Sequence, residues 1–109
     1  MRWYENLYAG ERIQHKVEKI KWKIKHNAGQ INIYVITIAS NPQNLLDIIP
    51  AQELMQKGYP KKDLFIIGLA QGMEEAQHVV MQIIDEVYRE TGMFQILPYL
   101  QTKKDSKNH

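Results

Sequence analysis

Two short stretches of the chain are apolar at nearly every position, and two longer ones are apolar at every third or fourth. Ile31 to Ala39 reads INIYVITIA and Leu64 to Ala70 reads LFIIGLA. Their length and β-branched content predict strands. Ile31, Ile33 and Val35 fall on one face of the first, and Tyr34, Ile36 and Ile38 on the other. A strand apolar on both faces is covered on both sides, as in parallel sheets.

The longer stretches have helical spacing. Ile13, Val17, Ile20 and Ile24 form a narrow seam through a helix over Glu11 to His26, with Asn27 or Gly29 as its left-handed cap. Ala76, Val79, Val80, Ile83, Ile84, Val87 and Tyr88 form a broad stripe on a helix that Gly72 opens and Gly92 closes.

Between the strands, Ser40 or Asn41 caps a helix with Pro42 at its first position, and Leu45, Leu46, Ile48 and Ile49 are its apolar side. Pro50 breaks it, and a second short helix over Ala51 to Lys57 ends at Gly58. Met93 to Leu97 reads as a third strand. The aromatic start (Trp3, Tyr4, Leu7, Tyr8) reads as cover for the core, as a short helix or a segment lying across it. Residues 101–109 are polar and expected to be disordered.

Strand–helix–strand alternation implies parallel pairing with right-handed crossovers. The fold class expected is α/β: one domain over residues 1–100, with a small open parallel sheet of two or three strands. The order 2-1-3 and helices on both faces are preferred. This is consistent with a chain of 109 residues, 44% hydrophobic and 24% charged.

Composition removes several chemistries. With no cysteine, disulfides, thiolate nucleophiles, iron–sulfur clusters and cysteine-ligated zinc are excluded. The absence also fits a cytoplasmic address. The N-terminus lacks the apolar core of a signal peptide, and no apolar run approaches the ~20 residues of a membrane span. The expectation is a soluble protein.

The formal net charge of +2 conceals a segregation. Residues 1–26 carry seven Lys/Arg against three acids, whereas residues 42–100 carry four against eight. Lys16, Lys19, Lys21, Lys23 and Lys25 surround the seam of the first helix, giving a basic interaction face. Asp85, Glu86 and Glu90 on the last helix offer an acidic surface to receive it, within a chain or between two chains.

Candidate chemistry is thin. Ligands in open α/β sheets sit beyond the carboxyl ends of the strands, which brings Ser40, Asn41, Gln71 and Gly72 together as a polar site for a neutral ligand. A phosphate is disfavoured at both loops. Pro42 removes a donor, Glu74 and Glu75 occupy the first turn of the last helix, and GLAQG has neither the dinucleotide nor the phosphate-loop spacing. Glu74, Glu75 and His78 resemble half a metal site, but no second helical pair completes it, so a solvated face is favoured. No cofactor, metal or catalytic residue is assigned.

The leading reading is a non-enzymatic association domain forming a homodimer, because a sheet of so few strands has unprotected edges. An acidic protein is a further possible partner. A ligand-binding or enzymatic domain using the two loops comes second. Nucleic-acid binding through the basic helix comes third.

Overall fold

The computed structural model describes residues 1–39 and 43–107. Four strands form one mixed sheet: β1 (Arg2–Ala9), β2 (Ile33–Ile38), β3 (Leu46–Pro50) and β4 (Phe65–Gln71), in the order β1-β4-β2-β3. β1 runs parallel to β4, while β2 is antiparallel to both β4 and β3. A 3₁₀ turn over Glu11–Lys16 leads into α1 (Val17–Lys25), and a second 3₁₀ turn covers Ala51–Met55. α2 (Met73–Thr91) and α3 (Ile96–Lys107) follow β4. Among the described residues, no helix is long and apolar enough to cross a membrane.

The α/β class holds, but the sheet corrects the expectation of two or three parallel strands in the order 2-1-3. The cause is the stretch from Leu46 to Pro50. Its apolar residues fit a helical stripe, yet they form an edge strand with Leu46 and Ile48 packed toward one side of the sheet and Ile49 toward the other. With that strand in place of the expected crossover helix, Ile33–Ile38 pairs antiparallel with both Leu46–Pro50 and Phe65–Gln71.

Pro50 explains why a proline is tolerated there. The Ala39 N–H donates to the Leu45 carbonyl at 3.4 Å. In the register that pairs Ile38 with Leu46, this makes Leu45, Asp47 and Ile49 the residues whose backbone groups face β2. Leu46, Ile48 and Pro50 turn theirs outward, so the missing N–H of Pro50 costs the ladder nothing.

Both faces of the sheet are covered, as the sequence implied. On one face Ile13, Ile20, Ile24 and Leu54 pack against Ile33, Val35, Ile66 and Leu69. On the other, Ala76, Val79, Ile83 and Val87 of α2, with Ile96 and Leu100 of α3, pack against Tyr4, Ile36 and Ile67. Burying one such aliphatic side chain contributes about 1.5–3 kcal/mol. Ile67 is an extra residue in β4: Ile36 pairs with Gly68 but Thr37 with Ile66, so the alternation resets and Ile67 and Ala70 share the α2 face.

Ends of helices follow their sequence signals. α1 stops at Asn27, which adopts φ 54°, with the Ala28 N–H bonded to Lys23 O at 2.8 Å and the Asn27 N–H to Ile24 O at 3.3 Å. α2 ends where the Gly92 N–H meets Tyr88 O at 2.7 Å. The chain departs from expectation at its two ends. Residues 2–9 are a strand, and Met93–Leu97 is not one: α3 begins at Ile96 and continues to Lys107, where an unstructured tail was expected.

Candidate functional site

Ser40 and Asn41 lie outside the described residues. Gln71 and Gly72 stand at the end of β4, where Gln71 pairs with Ile33 at the beginning of β2. Because β2 and β4 are antiparallel, Ile38 and Gln71 occupy opposite ends of the sheet. A shared carboxyl end for β2 and β4 would need the two strands parallel, and they are antiparallel.

Gly72 is buried at φ 87°, a region that side chains strongly disfavour, and its N–H donates to Asn32 O at 2.7 Å. Gln71 is held by its backbone: its N–H donates to Glu75 Oε1 at 2.9 Å. The other carboxylate oxygen of Glu75 accepts the Arg12 N–H at 3.2 Å, with Arg12 Nε at 3.8 Å. Glu75 thus joins the turn after β1 to the turn before α2. Its carboxylate takes the space beside Gly10 that a Cβ would need.

These groups border an open groove of about 820 Å³, lined by Gly10, Arg12, Glu74, Glu75, His78 and Asp85 among others. Its chemistry is modest. Both Glu75 oxygens are engaged, and Asp85 pairs with Arg89 at 3.0 Å. Among the described residues, no group of three His, Asp or Glu side chains is placed to hold a metal ion.

A second carboxylate organises the opposite end of α2. One oxygen of Glu86 accepts the Tyr8 hydroxyl at 2.7 Å, the Tyr99 hydroxyl at 2.8 Å and Lys103 Nζ at 3.1 Å. Burial opposes its charge, but the two phenols and the ammonium outweigh burial and hold Glu86 below the ordinary carboxylate range. Burial and the same carboxylate push Tyr99 up to about 12, and Tyr8 further in the same direction. At neutral pH the glutamate is ionised and both phenols are protonated. The cluster ties β1, α2 and α3 together and offers no base or nucleophile. Sequence spacing could not show it, since its members come from three elements.

The five lysines lie on α1 and the turn before it. Lys16, Lys19 and Lys25 are exposed, while Lys21 and Lys23 are half-buried. Lys21 pairs with Glu18 at 3.9 Å and lies 5.4 Å from the centre of the Trp3 ring. Trp22 is 57% exposed and stacks on His26 at 4.2 Å. The acidic surface does not receive this helix within the chain. α1 and α2 cover opposite faces of the sheet, and Glu86 is occupied by Tyr8, Tyr99 and Lys103.

An apolar strip remains at the β3 side of α2. Ala76, Val79, Ile83 and Val87 point into the core, and Glu75 and Glu86 mark the flank toward β1. The opposite flank carries Val80, Ile84 and Tyr88, the last 51% exposed and stacked on Phe94 at 5.0 Å. Beneath it Ile38, Leu46 and Ile48 are only partly buried. Among the described residues β3 pairs with β2 alone, so its other side is a sheet edge.

No protein-family model matches the chain, and neither a curated protein nor a solved structure does.

Proposed function

We propose that this protein is a non-enzymatic association domain that works as a homodimer. The observation that carries the reading is the strip of Ile38, Leu46, Ile48, Val80, Ile84 and Tyr88, partly exposed beside the open edge of β3. An exposed edge strand with apolar neighbours is a template for another chain. The two carboxylate clusters support the non-enzymatic part, since Glu75 and Glu86 are engaged in joining elements of the fold. A cytoplasmic setting accords with the cysteine-free composition. Light scattering on the eluting species at tens of micromolar tests the reading. Twice the chain mass of 12.8 kDa supports it, and a single-chain mass contradicts it.

A second reading rests on a different surface. Trp22 stands exposed beside Lys19 and Lys25, an aromatic platform within positive charge suited to single-stranded nucleic acid. An acidic protein would meet the same charges without using the stacking surface. Titration with an oligonucleotide at two salt concentrations separates them. Affinity that falls steeply with salt and is lost in Trp22→Ala supports nucleic acid; indifference to Trp22→Ala rejects it.

A further inference from the structure

We propose that the two copies join edge to edge, β3 against β3 in antiparallel, with the two-fold axis passing beside Ile48, so that the sheets run on as one. The inference rests on the homodimer reading and names its geometry.

The sheet has two edges, β1 and β3. β1 loses regular register between Trp3 and Tyr8, carries Arg2 and Glu5, and borders a cleft shared with Leu97 and Leu100 of α3. Irregularity, charge and a neighbouring helix all discourage strand addition. β3 is less encumbered: its one charged residue, Asp47, shares with Ile49 the face away from α2. It pairs regularly with β2 from Leu46 to Pro50, and Leu46 and Ile48 are apolar.

The phase of hydrogen bonding then restricts the register. Only Leu46, Ile48 and Pro50 present backbone groups outward, and Pro50 presents a carbonyl alone. Centred on Ile48, each copy's Ile48 exchanges both bonds with the Ile48 of the other. Leu46 N–H then meets the Pro50 carbonyl, so every outward donor of the strand finds an acceptor and Pro50 needs no N–H. Two-fold pairing centred on Asp47 would set two carboxylates directly opposite, which is unfavourable in a cross-strand pair. Centring on Leu46 would send Ile48 beyond the strand, opposite Asn44. Ile48 is the centre that satisfies both backbone and charge.

The same operation carries Leu46 and Ile48 of both copies to the α2 side. There they adjoin Ile38, Val80 and Ile84, which joins the two apolar strips across the axis. A second copy therefore matches this edge in hydrogen bonding, in charge and in side-chain character.

Amide exchange on the unmodified protein reads the proposal directly. Asp47 and Ile49 amides face β2 in any assembly, whereas those of Leu46 and Ile48 are covered only when β3 gains a neighbour. Slow exchange at all four, with Leu46 and Ile48 becoming fast on dilution below the dimer range, supports the proposal. A confirmed dimer in which Leu46 and Ile48 exchange fast at every concentration overturns it, while leaving the homodimer reading standing. A monomer overturns both.

The register has its own test in the Ile48→Cys chain, whose new thiol is the only one present. Paired Cα atoms at such a position lie ~5.5 Å apart, within reach of a disulfide. Rapid oxidation to a cross-linked dimer supports Ile48 as the centre. Cross-linking of Asp47→Cys in preference to Ile48→Cys overturns that register.

Discussion

Glu75 reaches back across Gly72 to the backbone of Gln71, accepting its N–H at 2.9 Å, while its second oxygen holds the backbone of Arg12. One carboxylate thereby ties the turn after β1 to the turn before α2, and Gly10 is the residue that leaves room for it. Gly10→Ala will therefore displace the carboxylate and destabilise the fold by about 1–3 kcal/mol. Urea denaturation will show a lower midpoint with an unchanged slope. In a Glu75→Ala background the same change will cost far less, because the two residues share one contact. Additive losses would show that Gly10 matters for another reason.

Glu86 makes stability depend on pH at both extremes. Its folded value is lowered, so its contribution is present above the unfolded value near 4.5 and is lost as pH falls through the folded one. Tyr99 has the opposite sign: the folded form keeps its proton up to about 12, so its contribution is present below the ordinary value of 10.0 and declines between the two. Thermal melts of the parent chain will fall on both sides, and Glu86→Gln will flatten both slopes. Parallel profiles would remove Glu86 as the source.

Thr37 is wholly buried on β2, and its hydroxyl has no hydrogen-bond partner among the described residues. Valine has nearly the same shape without that polar atom. Thr37→Val is expected to raise stability by about 1 kcal/mol. Calorimetric melting checks this, and a loss of stability would mean that the hydroxyl is used.

Pro50 tests the edge. Its ring replaces an N–H that would point away from β2, so Pro50→Ala breaks no bond within the chain and costs only ~0.4–1 kcal/mol through the freer unfolded chain. In the proposed pairing the new N–H meets the Leu46 carbonyl of the other copy. Dimerisation should tighten severalfold, as read by dilution of the dimer. Unchanged affinity would place the interface elsewhere.

The periodic segments were legible where burial alone decided the structure. Ile13, Ile20 and Ile24 of the seam are buried as their spacing implied, with Val17 half-buried. Ala76, Val79, Ile83 and Val87 of the α2 stripe are core, whereas Val80, Ile84 and Tyr88 stay partly exposed. Ile33–Ile38 and Phe65–Gln71 are strands covered on both faces. The segment from Leu46 to Pro50 was not legible as a strand because its five residues, apolar on either side of Asp47, satisfy both periods. Only the pairing partner, β2, decides between them. Reading the segment as a helix turned the antiparallel pairing of β2 with β3 and β4 into a parallel crossover. Tyr8, Glu86, Tyr99 and Lys103 meet across three elements, so their cluster had no local signal. Ile31, assigned to β2, is 86% exposed and lies before the strand, because Asn32 turns the chain at φ 65°.

Self-association through β3 makes the oligomeric state depend on the residue at the two-fold axis, Ile48. Sedimentation equilibrium of the parent chain and of Ile48→Lys, each from one to one hundred micromolar, measures this most directly. The expected result is a dimer for the parent chain and a folded monomer for Ile48→Lys, since a charge at the axis would face its own copy. A parent chain that is monomeric throughout, or an Ile48→Lys chain that dimerises as tightly as the parent, would contradict it.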